Sequence, residues 1–246
     1  MKGLFFMTKS DTGKPRSAVM WGGLNSCHIT MKYLLEYFGG LQVPLGPVDI
    51  KDFVDNFLHL EILSDIVDLP YIKAFIYYSP GVYFHIKSDC PISVEPGTVI
   101  LNQDIQVDSP EWRFVLAHEA GHWIINRELA DPFRPNYSCC KSFEMRTDYL
   151  DAEKISHYIE TDADAWSEIK ADCIANAILM PTSAFLTLSI KLMDAYGFKD
   201  ERITLGEHLE AEAALINDLA ETFLVPDYAV RNNLYAYGLL ARNQVV

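Results

Sequence analysis

Between Pro110 and Asn126 the chain is apolar on almost every helical face, through Trp112, Phe114, Val115, Leu116, Trp123, Ile124 and Ile125. A helix with no polar side has no surface to give to water, so it has to lie inside the fold. Its start is marked by Ser109-Pro110-Glu111: a capping hydroxyl, a proline at the first helical position, and a carboxylate near the positive end of the dipole. The rest of the chain must wrap around this element. Titratable side chains carried inside it, namely His118, Glu119 and His122, therefore need a reason.

The composition allows such a core. The chain has 246 residues, of which 50% are hydrophobic and 12% aromatic, enough for one substantial domain or a main domain with a smaller appendage. The formal charge of −14, from 34 acidic and 20 basic residues, repels phosphate backbones. No direct nucleic-acid binding over a large face is expected, and a basic partner would suit this surface better. The alternative is that the acidity only serves solubility.

The apolar run at Leu4-Phe5-Phe6-Met7 is too short for a signal-peptide core, and no stretch reaches membrane-spanning length, so no membrane partner is expected. Five cysteines (Cys27, Cys90, Cys139, Cys140, Cys173) show no framework spacing. They are expected to stay reduced in a cytoplasm, with Cys139 and Cys140 as free thiols in a loop rather than members of a metal or redox site.

Around the central helix, residues 1 to about 24 read as a loosely held arm. Ile50, Phe53, Val54, Phe57, Leu58 and Leu60 follow helical spacing and predict a helix over 49–62. Tyr71–Tyr78 and Val82–Lys87, separated by Ser79-Pro80-Gly81, predict strands, as does Thr98–Asn102 after Pro96-Gly97. These predict a small sheet laid down before residue 105. Residues 127–160 read as irregular. A second helix is expected from about Asp162 to Leu179, stopped by Pro181, and the tail from Gly206 is helical by pattern with a break near Val225-Pro226. The fold class is α+β. The expected organisation is a lead-in over 1–41, a main domain over 42–200 and a helical C-terminal region over 201–246.

His118-Glu119-Ala120-Gly121-His122 is an HExxH sequence. Residues four apart on a helix are about 40° apart in rotation, so both imidazoles share a face and can converge on one ion. Glu119 is turned by about 100° from His118, beside that face and within reach of a water on the ion. The other explanation is two satisfied core histidines and a stray glutamate, since the pattern arises by chance in such a chain on the order of once in a hundred. A catalytic site needs a third protein ligand. Glu168 on the second helix offers one, and Asp172, one turn later, could accept the spare N–H of a ligating histidine. Alternatively both belong to a surface acidic cluster with Glu160, Asp162 and Asp164.

Arg113-Phe114-Val115-Leu116-Ala117-His118-Glu119-Ala120-Gly121-His122-Trp123, followed by Glu168-x-x-Ala171-Asp172-Cys173-x-Ala175 and Leu179-Met180-Pro181, resembles the ImmA/IrrE family of metallopeptidases. The likeness extends to Pro47-Val48-Asp49-Ile50, Val99-Ile100-Leu101-Asn102 and Leu219-Ala220-Glu221-x-Phe223-x-Val225, covering roughly residues 42 to 240. It implies a minimal gluzincin-like fold, with a small sheet whose strand beside the HExxH helix can hold an extended substrate. It also implies one Zn²⁺ per chain on His118, His122 and Glu168, with Glu119 as the catalytic base.

The resemblance further implies a cytoplasmic protease that cuts a protein substrate, a DNA-binding repressor encoded on a phage or mobile element. Tyr137 and His157 are candidate oxyanion donors. Two departures stand out: a long segment between the motifs, and a helix-turn-helix-like tail with Pro226 where a capping serine is usual and Asn233 where arginine is. These make packing or substrate docking the expected role of the tail. A second hypothesis is a non-catalytic protein that sequesters a repressor or antitoxin, with zinc holding its fold.

Overall fold

A computed structural model describes residues 28–40, 43, 45–67, 72–128, 137–141, 165–198, 202–204, 206 and 208–241. Helix α1 covers residues 28–37. It buries Thr30, Tyr33 and Leu34, a one-turn repeat that turns a single face inward. Gly39 and Gly40, both at positive φ (64° and 77°), close it by offering their N–H groups to the carbonyls of Glu36 and Leu35. The lead-in thus contributes core side chains.

The helix expected over 49–62 is much shorter. Helix α2 is one α-turn, Ile50–Asp52, capped by the Asp49 carboxylate accepting from the Asp52 N–H, and it continues as a π-turn over Phe53–Phe57. His59 then takes a left-handed conformation, and Glu61–Asp65 is strand β1. Helical spacing in this segment ran on into a strand because Leu58 and Leu60 are buried from either conformation.

The main sheet has the order β1–β5–β2–β6, with β2 at Ile72–Tyr77, β5 at Thr98–Asn102 and β6 at Tyr137–Lys141. Strand β5 lies parallel to β1 (Glu61 opposite Thr98) and antiparallel to β2 (Ile76 opposite Val99), and its Thr98–Leu101 stretch is fully buried. Strand β6 is antiparallel to β2, with Tyr77 opposite Tyr137. This corrects the reading of 127–160 as wholly irregular, and Cys139 and Cys140 lie in a strand rather than a loop. A five-residue edge strand is defined by its hydrogen bonds to β2, which no local pattern announces.

Strands β3 (Gly81–His85) and β4 (Cys90–Val94) form a separate hairpin. It is moored to the sheet by the fully buried Asp65, whose Oδ2 accepts from the Tyr83 hydroxyl and the Ile86 N–H, each at 2.8 Å.

Helix α3 (Pro110–Glu128) packs on β2 and β6 and, more extensively, on helix α4 (Ala165–Leu179). Pro181 bends the chain by 71° into helix α5 (Thr182–Ala195). Helices α6 (Leu209–Phe223) and α7 (Asp227–Ala236) follow, with the short strands β7 (Ile203–Thr204) and β8 (Leu240–Ala241) pairing in parallel. This C-terminal part is fastened to α3. Tyr228 on α7 donates to Glu111 Oε2 at 3.1 Å and meets Phe114 edge-on, while Arg113 donates through Nε to the Leu224 carbonyl and through Nη2 to that of Val48. Among the described residues, no single helix is long and apolar enough to cross a membrane.

Candidate metal centre

The site arises where α3 and α4 cross. Two helices approach this closely only if one surrenders its side chain at the crossing, and Gly121 does so: a Cβ there would lie 2.8 Å from the Ala171 carbonyl oxygen. That contact brings the 168–172 turn of α4 opposite the 118–122 turn of α3. His118, Glu119 and His122 are all buried in the core, at 1%, 0% and 1% exposure.

The polar groups converge on one point. His118 Nε2 and His122 Nε2 are 3.0 Å apart, Glu168 Oε2 is 3.2 Å from the first, and Glu168 Oε1 is 3.2 Å from the second. All three ligand atoms lie within 4.8 Å of one another, so the group could hold a metal ion. Asp172 Oδ1 sits 2.6 Å from His118 Nδ1, the ring nitrogen turned away from the cluster. With Nδ1–H donated to this carboxylate, the lone pair of Nε2 would be offered to an ion held in the cluster.

Electrostatics reinforce the arrangement. Burial pushes the His122 imidazole below its ordinary value, although the neighbouring Glu168 works against that shift. Neutral imidazole is the ligating form. Burial alone would raise the Glu168 carboxyl, but the His122 and His118 rings against it hold it well below the usual carboxylate range. An anionic carboxylate beside two imidazoles able to offer neutral nitrogens is a donor set that could hold a divalent cation.

The residues singled out in the sequence fare differently. His118, His122, Glu168 and Asp172 are brought together, and Glu119 lies at the intervening helix position. Tyr137 lies in β6, the outer strand next to β2, and His157 falls outside the described residues. Ser167 was not singled out, yet its Oγ is 3.4 Å from His122 Nδ1. A serine beside a glutamate carries no pattern of its own, and only the helix crossing reveals it.

Two surface cavities, of about 440 and 460 Å³, lie elsewhere: one by Ile62, Leu101 and Trp112, the other by Lys32, Tyr33 and Arg127. None of the cluster's residues lines either one. No protein-family model matches the chain, and no curated protein or solved structure matches it.

Proposed function

We propose that this chain is a zinc-dependent peptidase of the ImmA/IrrE type, performing limited proteolysis of a protein substrate. The observation that carries the reading is the convergence of His118, His122 and Glu168 with Asp172 behind His118. Two ligand atoms about 2.0–2.1 Å from a tetrahedral zinc are about 3.3–3.4 Å apart. The observed edges of 3.0 and 3.2 Å are close to this.

Zinc, when bound, supplies a Lewis acid that polarises the scissile carbonyl and acidifies water. His118, His122 and Glu168 would hold it. The Asp172 carboxylate keeps the His118 proton on Nδ1. Glu119 then takes the proton of the attacking water on a carboxylate oxygen and delivers it to the nitrogen of the departing amine. Glu119 is fully buried on the helix that carries both histidines.

The substrate class we favour is a DNA-binding repressor encoded beside the gene on a phage or mobile element. The acidic surface is electrostatically suited to a basic partner. The C-terminal helix pair supports docking or packing rather than DNA reading. Tyr228, Val230, Asn233 and Leu234 of α7 are buried, and Pro226 provides no side-chain cap.

The test is incubation of the purified, zinc-loaded protein and its Glu119→Gln variant with the repressor encoded nearest to its gene. Cleavage by the first and none by the second, with equal zinc content, supports the peptidase. Zinc in both proteins with no cut, but stable repressor capture by both, would replace it with a sequestering protein.

A further inference from the structure

The two imidazoles are backed by different groups. His118 Nδ1 meets a carboxylate, Asp172, at 2.6 Å, whereas His122 Nδ1 meets a hydroxyl, Ser167, at 3.4 Å. Both backing residues come from the same helix as Glu168, so about a turn and a half of α4 serves the whole cluster: Ser167 faces His122, Glu168 faces both Nε2 atoms, and Asp172 faces His118.

The chemistry follows from the tautomers. His122 directs Nε2 at Glu168 and His118, so ligation through that atom requires its proton on Nδ1. A buried N–H of this kind needs an acceptor, and the Ser167 oxygen lies in its direction. A carboxylate acceptor raises the basicity of the ring it holds, while a hydroxyl orients the ring with little added charge.

We propose that Ser167 is a positioning residue of the metal site: its hydroxyl accepts the Nδ1 proton of His122 and thereby fixes the tautomer and angle of that ligand. This inference rests on the metal-site reading above and adds the reason why α4 carries a hydroxyl at the position before its glutamate.

The experiment compares wild type, Ser167→Ala and Ser167→Thr. It measures zinc dissociation constants by competition with a chromophoric chelator, the visible spectrum of the Co²⁺-substituted protein, and the unfolding temperature of the metal-free form. The expected result for Ser167→Ala is zinc binding weaker by about tenfold, the lower end of what loss of such a partner produces. Its cobalt bands should be altered and its metal-free unfolding temperature unchanged. Ser167→Thr, which keeps the hydroxyl, should restore both affinity and spectrum. Wild-type affinity and spectrum in Ser167→Ala would overturn the proposal while leaving the metal site standing. Equal weakening in both variants, together with a lower metal-free unfolding temperature, would overturn it in favour of a packing role. Failure of the wild type itself to take up zinc or cobalt would remove the metal-site reading and this inference with it.

Discussion

The Cα of Gly121 rests against the Ala171 carbonyl, with room for a hydrogen but not for a methyl group. On helix propensity alone, Gly121→Ala should stabilise the protein by about 1 kcal/mol. The added Cβ, however, would meet backbone, which cannot rotate away as a flexible side chain could. The clash should win. We expect a net loss of about 1–3 kcal/mol in denaturant unfolding, typical of overpacking, together with weakened zinc uptake as α4 shifts Glu168 and Asp172 away from the histidines. Unchanged stability and metal content would show that the helices do not touch here.

Arg113 should behave as a clasp. It is nearly buried and donates to Leu224 and Val48, carbonyls from the two flanks of the central helix, at 3.1 and 2.7 Å. Arg113→Ala removes both bonds and the packing of the stem, and is expected to cost about 2–4 kcal/mol. Arg113→Lys should recover only part of this, because an ammonium cannot reproduce the two-pronged fork. Thermal unfolding of the three proteins checks the order.

Asp65 ties the β3–β4 hairpin to the sheet, so Asp65→Ala should loosen the hairpin first. We expect a loss of about 2–4 kcal/mol, from two charge-assisted bonds made by a buried carboxylate, with amide exchange rising first over Gly81–Val94. Burial and then the Asp65 hydrogen bond hold the Tyr83 phenol above its ordinary value. In the variant it should therefore ionise closer to about pH 10, visible in the ultraviolet titration. An unchanged titration would mean that the contact is not made.

Metal should act as a folding ligand. At zinc concentrations about a hundredfold above the dissociation constant, linkage gives about 2.7 kcal/mol of added stability. The unfolding midpoint should rise with zinc and fall back with chelator, and Glu168→Ala should abolish most of this response. An identical response in that variant would exclude Glu168 as a ligand.

Much of the central element was legible beforehand because its signals are local. The Ser109-Pro110-Glu111 start, the all-round apolar character and the four-residue spacing of His118 and His122 need no partner to be read, and helix α3 spans Pro110–Glu128. Strand β5 appears at Thr98–Asn102 and the break in the tail at Leu224–Pro226 for the same reason. Less was legible where a segment takes its form from something distant. Helix α1 and helix α5 went unread because their buried faces are short and mixed. Strand β1 was absorbed into a helix, and β6 into an irregular stretch, because edge strands are defined by the neighbours they bond to.

The sequence by itself determined the identity and helical phase of the His118-Glu119-His122 set, along with the carboxylate pair Glu168 and Asp172 one turn apart. Which carboxylate faces which nitrogen was decided only by the tertiary structure, in which contact between Gly121 and Ala171 sets the height at which α4 crosses α3. That crossing puts Glu168 between the two Nε2 atoms, Asp172 behind His118 and Ser167 behind His122. Helical periodicity specifies angles along one axis. The distance between two axes depends on what fills the space between them, and here that space is filled by a hydrogen atom.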